Sequence, residues 1–196
     1  MHAIETKRLI LTRAAPADAA ALARFSTRNA DHLSRWEPTR PDGYYSETAW
    51  HNRLTAYAPD IRAGRYLPLV LRFHDQPDVV GTANLSNIVR GEFQACHLGY
   101  AVDAEQEGQG VMSEALRAVL DHAFGAMSLN RVMANYLPEN MRSAALLARL
   151  EFEREGYAKR YLKIAGEWRD HVLTAKLAPQ PEELAEGAST PGAVGA

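Results

Sequence analysis

A single cysteine, Cys96, stands in the 196 residues, which excludes an intrachain disulfide and any metal site built from several thiolates. The seven histidines are scattered, so no clustered ligand set, and hence no metal, is expected. No apolar run approaches the ~20 residues that a membrane-crossing helix needs. The N-terminal "MHAIETKRLILTR" lacks the apolar core of a secretory signal. These absences point to a cytoplasmic protein with no membrane contact. There is no basic excess either: the net charge is −2, so no direct nucleic-acid binding is expected, while a small basic pocket for a phosphorylated ligand remains compatible. The final "PQPEELAEGASTPGAVGA" has no aromatic residue and is rich in Pro, Gly and Ala. It cannot bury much apolar surface, so residues 179–196 are expected to form a disordered tail behind one domain, 1–178.

What is present is ordinary globular material, 46% apolar and 23% charged. Alternation in "KRLILTR" predicts a first strand. An alanine-rich helix follows Pro16, and a loop is marked by Pro38, Pro41 and Gly43. Ser46 caps a second helix running to about Gly64. "YLPLVLRF", "DVVGTANLSNIV" and "FQACHLGYAV" then read as three strands, an antiparallel meander. A third helix, "VMSEALRAVLDHAFGAM", a strand, "RVMANYL", and a fourth helix, "NMRSAALLARL", come next. Two strands turning near Ala165–Gly166 close the fold. The order predicts an α/β (α+β) protein with a mixed, mostly antiparallel seven-stranded sheet and flanking helices.

Where the third meander strand hands over to a helix, the chain reads "DAEQEGQGVMSEA". A helix start leaves N–H groups unpaired and carries positive potential, so it suits an anion if the backbone can come close. The missing side chains at Gly108 and Gly110 allow that approach. The helix behind is amphipathic, with Val111, Met112, Ala115, Leu116, Val119, Leu120, Ala123 and Phe124 on one stripe. A glycine-rich turn without a ligand fits the spacing equally well. A dinucleotide fingerprint does not fit, since its third small position is Ser113 and the unit lies mid-chain. A P-loop does not fit either, lacking Gly-Lys-Ser/Thr.

The strand–turn–helix resembles the coenzyme A pyrophosphate loop of the GNAT acyltransferases, Q/R-x-x-G-x-G/A, with Glu107-Gly108-Gln109-Gly110-Val111-Met112 in that register. Gly110 matches the key glycine, whereas Glu107 replaces Gln or Arg and Met112 replaces Gly or Ala. "RWEPTR", "GTANLSNIVRG", "ACHLGYAV", "GVMSEAL", "RVMANYLPENMRSAALLARL" and "EGYAKRYLKIAGEWRDHVLTA" extend the likeness over roughly residues 4–177. Together they resemble the RimJ/RimL group of N-terminal acetyltransferases, most closely its RimJ-type branch.

The resemblance implies a GNAT fold with a central V-shaped splay and acetyl-CoA as cosubstrate. It implies a protein N-terminus as acceptor, an N-terminal alanine of a ribosomal protein. The chain is expected to be a monomer or weak homodimer. Coenzyme A contacts are implied for Leu98, Tyr100 and Val102 along the splayed strand, for Gly108, Gln109, Gly110, Val111, Met112 and Ser113 at the turn, and for Asn140. Because the family's pyrophosphate contacts are largely main-chain, Glu107 is expected to point outward. Many relatives carry a Tyr acid where this chain has Leu147. Ser143, one turn earlier, is implied as its substitute, although Ser143 is equally an ordinary first-turn residue behind an Asn140 cap. "RLEF" replaces the usual Leu-Gly-Phe, putting Glu151 where a left-handed C′ glycine is expected.

Transfer from a thioester needs a neutral amine. An α-amino group, with a pKa of about 7.7–8 against ~10.4 for lysine, needs only a mild base. Glu37, His97 and Glu92 are candidates for that base. His97 suits it by its intrinsic pKa but also reads as a packed histidine. Trp36, Glu37, Asn84, Asn87 and Tyr100 are the expected acceptor-binding residues. Asn84 and Asn87 read alternatively as turn formers at strand ends. Cys96 reads as a buried small side chain. Two other functions stay open: acetylation of a small amine such as a polyamine or antibiotic, and a coenzyme A-binding, ribosome-associated regulator.

Overall fold

Residues 3–180 are described by the structure, a computed structural model; the expected tail lies, from residue 181 onward, outside the described residues. The strands are β1 (Ile4–Glu5), β2 (Leu9–Arg13), β3 (Leu67–Phe73), β4 (Gly81–Val89), β5 (Ala95–Val102), β6 (Arg131–Met133), β7 (Glu153–Ile164) and β8 (Glu167–Leu177). Between β2 and β3 come α1 (Ala19–Arg28), α2 (Ala30–Leu33), α3 (Glu47–Ala56) and α4 (Ala58–Arg62). Helix α5 (Val111–Phe124) joins β5 to β6, and α6 (Met141–Arg149) joins β6 to β7. All eight strands form one sheet in the order β1-β2-β3-β4-β5-β6-β8-β7, antiparallel except for the β5–β6 pair.

The mixed, mostly antiparallel sheet is as expected, with one strand more. Ile4–Glu5 pairs with Ile10–Leu11, and two residues are too few to show alternation. The expected second helix is two. Ser46 caps α3 by accepting from the Ala49 amide at 3.2 Å, but the chain turns at Tyr57 and restarts as α4 with Pro59 in its first turn. Helix α6 ends at a left-handed Glu151, φ +63°, as the comparison with Leu-Gly-Phe implied. There the Glu151 amide donates to Ala148 and the Phe152 amide to Leu147.

Alternation along the strands divides the apolar side chains between two faces. Leu9, Leu11, Leu69, Leu71, Leu85 and Leu98 pack against the stripe of α5, with Val111, Leu116, Val119 and Leu120 fully or nearly fully buried. Val70 and Val79 face Leu22, Phe25 and Leu54 of α1 and α3. Cys96 is fully buried in the α5 core, and burial pushes its thiol up to about 12, so it is inert packing.

Strands β5 and β6 pair only over Ala95–His97 and Arg131–Met133. Beyond that point the second arm turns to β8: the Ala134 amide donates to Thr174, and Tyr136 pairs with Val172. The edge of β5 from Leu98 to Val102 is left open on this side, which is the central splay.

Two carboxylates pin the elements around it. Glu114 of α5 accepts from Thr6 Oγ1 (2.6 Å), the Arg8 amide (2.8 Å) and Arg8 Nε (2.6 Å). Asp103, after β5, accepts from Arg28 Nε at 2.5 Å and the Glu105 amide at 3.1 Å. Burial alone would push both carboxyls up, but these donors outweigh it and hold Asp103 below its ordinary 3.8 and Glu114 below its ordinary 4.5. The unfolded chain therefore binds more protons near those values, so stability is fully present above them and is lost as pH falls through the lower native values. Thermal melts from pH 6 to pH 3 are expected to show a falling Tm, and Asp103→Asn should flatten the slope while lowering Tm at pH 6.

Candidate active site

At the mouth of the splay, Gly108 and Gly110 take φ of +72° and +74°. Gly110 is the N-cap of α5 and offers no side chain to it. The amides of Val111, Met112 and Ser113 thus have no carbonyl within the helix to bond, and these three residues line a cleft of about 360 Å³. Val102, Glu107, Gly108, Gly110, Val111, Met112 and Ser113 line this cleft from one side, and Arg142, Leu146 and Arg149 of α6 from the other. Helix dipole, open amides and two arginines, offset by the one carboxylate Glu107, suit the cleft to an anion such as a pyrophosphate. Gln109, expected among the coenzyme A contacts, is not brought to the cleft: its Nε2 donates to the Glu105 carbonyl at 2.6 Å and its own carbonyl accepts from Arg8 Nη1 at 3.0 Å. A β-branched residue at Gly110 would be strained at that φ and would cover the amides. Gly110→Val is expected to weaken coenzyme A binding about tenfold or more, read by calorimetry.

Glu107 does not point outward. Its carboxylate turns into the cleft, paired with Arg142 across it and 3.3 Å from His32 Nε2. The reason is charge pairing: Arg142 on the facing helix draws the carboxylate across the cleft. Burial first, then the Arg142 and Arg35 charges, hold the His32 imidazole below its usual pKa.

The cleft continues into a channel of about 540 Å³ along the open edge of β5. Trp36, Tyr100, Val102, Met112, Asn140 and Ser143 line it. Asn140 caps α6, its Oδ1 accepting from the Ser143 amide at 3.0 Å. That bond turns Ser143 toward the strand, where its Oγ lies 2.7 Å from the Tyr100 hydroxyl. Burial pushes Tyr100 up to about 12, so the phenol stays protonated at neutral pH, able to orient Ser143 and pass it a proton. Leu147 is fully buried in the α5 core and takes no part in the channel. Leu98 likewise buries its side chain and offers only backbone.

Beyond the channel lies a cavity of about 210 Å³ on the α1/α3 face of the sheet. Glu37, Leu33 and Ala101 border both spaces, so Glu37 stands at their junction. Its Oε2 accepts from the Tyr45 hydroxyl at 2.9 Å. Asn84 lines the cavity from β4, paired across the ladder with Gly99, beside which a Cβ would meet nothing within 4 Å. The sheet surface is bare there, leaving room for an acceptor.

Three expected residues are not brought to this junction. Asn87 sits at φ +50° on a bulge within β4, exposed and away from the cavity, rather than in a strand-end turn. His97 lines neither cavity nor channel, and burial holds its imidazole below the usual pKa. Glu92 is exposed in the β4–β5 turn. Sequence reasoning missed the Tyr100–Ser143 pair, Arg142, and a cavity wall of Arg40, Tyr44, Tyr45, Trp50 and Arg53. Only Trp50 and Arg53, three apart on α3, carried a local signal.

Residues 8–153 match the family model for the acetyltransferase (GNAT) domain, and the chain belongs to that family. It is an acetyltransferase that uses acetyl-CoA. Among its relatives, the [ribosomal protein uS5]-alanine N-acetyltransferase of Escherichia coli K12 is 42% identical over 176 residues, covering 90% of this chain and 91% of the relative. The ribosomal-protein-S5-alanine acetyltransferase of Vibrio fischeri superposes with a TM-score of 0.87 at 35% identity, covering 92% of this chain and 98% of that one. Mycobacterium smegmatis RimJ in complex with CoA-disulfide superposes with a TM-score of 0.83 at 32% identity, over 95% and 98% of the two chains.

Proposed function

We propose that this chain, through a single catalytic domain spanning residues 1–178, acetylates the α-amino group of a protein N-terminus, an N-terminal alanine of a ribosomal protein in the cytoplasm. It acts as a monomer or weak homodimer. The observation that carries this reading is the separate acceptor cavity, which meets the coenzyme A channel at Glu37. The 42%-identical relative, named for that reaction, supports the choice of acceptor.

Acetyl-CoA supplies the acetyl group as an activated thioester. The protein's own residues do the rest. Glu37 takes a proton from the acceptor amine, which at a pKa of about 8 is already partly neutral. Backbone N–H along the open edge from Leu98 to Tyr100 donates to the acetyl carbonyl oxygen as charge builds on it. Ser143, held by the Asn140 cap and backed by Tyr100, gives a proton to the departing sulfur as the C–S bond breaks and the new N–C bond forms. Asn84, with the bare surface over Gly99, receives the acceptor main chain.

Thiol release is expected when the enzyme meets acetyl-CoA and an Ala-initiated peptide, and none when the peptide's α-amine is already acetylated. Release with small amines but with no peptide would overturn the reading. Binding of acetyl-CoA without turnover on any amine would favour a regulatory protein instead.

A further inference from the structure

The acceptor cavity holds more positive charge than binding an amine requires. Arg40 and Arg53 both lie against the Tyr44 ring, their guanidinium carbons 4.5 and 3.9 Å from its centre. Arg53 Nη1 donates to the Tyr44 carbonyl at 2.7 Å, and Arg40 also stands beside the Tyr45 hydroxyl. Arg53 Nη2 and Arg40 Nε are shut off from solvent and have no hydrogen-bond partner among the described residues. Glu37 is the one carboxylate among the described residues lining the cavity; its Oε2 is taken by Tyr45, and no ion pair among those residues links it to either arginine.

Two cations thus share an aromatic-walled cavity with one anion. A buried charged donor left unpaired is costly, and such groups are normally satisfied by a partner. Planar guanidinium forks, pre-positioned by stacking on Tyr44, suit a carboxylate in particular. The charge pattern is polar along the cavity: the anion sits at the channel junction and the arginines line the cavity behind it. An acceptor that fits must carry its amine in front and an anion behind. The cavity is below the ~300–1,000 Å³ that engulfs a drug-sized ligand, so it takes only the leading part of an acceptor.

Resting on the protein N-terminus reading, we infer that the cavity selects acceptors bearing an aspartate or glutamate within the first few residues after the N-terminal one, with Arg40 and Arg53 binding that carboxylate while Glu37 meets the amine. An extended chain advances about 3.3 Å per residue, so the second to fourth residues cover roughly the first 10 Å behind the amine and are the positions to test.

The test compares Ala-initiated peptides of one neutral sequence in which Glu or Gln occupies the second, third or fourth position, with kcat/KM read from thiol release. The wild-type enzyme is expected to favour Glu over Gln about tenfold or more at one of these positions. Arg40→Gln and Arg53→Gln should each cut that ratio to about twofold or less. The ratio is internal to each enzyme, so a general loss of activity in a variant does not imitate the result. Arg53 also holds the Tyr44 carbonyl, so if its variant fails to fold, Arg40→Gln carries the test, since the Arg40 side chain bonds no backbone group among the described residues. Equal kcat/KM for Glu and Gln at all three positions overturns the proposal while leaving the peptide-acceptor reading intact. A ratio unchanged in Arg40→Gln overturns the assignment to the arginines. No turnover with any peptide overturns the peptide-acceptor reading, and this proposal with it.

Discussion

Ser143→Ala is expected to lower kcat about 100-fold while leaving KM for acetyl-CoA within about threefold, because general-acid assistance is worth roughly 10²–10⁴ and acts mainly on the transition state. The substitution is mild for the fold. Asn140 caps α6 through the backbone amide at position 143, which alanine retains. The lost group is the hydroxyl that sits 2.7 Å from Tyr100 in the channel. Tyr100→Phe removes the partner rather than the donor, and a smaller loss of about tenfold in kcat is expected. If the two act as a relay, the double variant should be no worse than Ser143→Ala alone, since members of one catalytic unit are strongly non-additive. Steady-state kinetics decide it, and a Ser143→Ala enzyme within about twofold of wild type would remove Ser143 from the chemistry.

Glu37→Gln carries the second large effect: kcat/KM for an Ala-initiated peptide should fall about 100-fold at pH 7. The sign of its pH dependence is the sharper test. With the base gone, the rate depends on acceptor already neutral in solution, so the variant should recover activity as pH rises through the α-amine pKa of about 8. Wild type should depend on pH less steeply across that range. His97→Ala should leave kcat/KM within about threefold, because the imidazole borders neither cavity nor channel. A large loss in His97→Ala with Glu37→Gln spared would exchange the two roles.

Features that depend on neighbours along the chain are legible in the residues alone. The α5 stripe, the Ser46 and Asn140 caps and the Ala165–Gly166 hairpin turn, with φ of +48° and +84°, all rest on spacings of a few residues. Gly108 and Gly110 belong with them, because a left-handed backbone where a strand meets a helix almost dictates glycine. The two-residue β1 is too short to leave a pattern, whereas the break between α3 and α4 is marked in the sequence by Pro59, which a continuous helix does not accommodate.

The chemistry of the site is legible as a set of candidates but not as an arrangement. Tyr100 and Ser143 meet across 43 residues, and no local pattern says that a strand tyrosine will face the first turn of a later helix. Glu107 reads as an outward-facing liability because its partner, Arg142, stands on the far wall of the cleft. Asn84 and Asn87 look alike in sequence, yet a bulge in the β4–β5 ladder sends one into the cavity and the other to the surface. By itself, then, the sequence determined most of the elements, the family and the anion-ready turn, since each follows from short-range sterics, periodicity and motif order. Only the tertiary structure decided which carboxylate stands at the junction, which hydroxyl meets Ser143, and that two arginines stand behind Glu37 without a carboxylate partner among the described residues. Those are contacts between distant segments, and they exist only once the sheet has splayed and the helices have closed over its two faces.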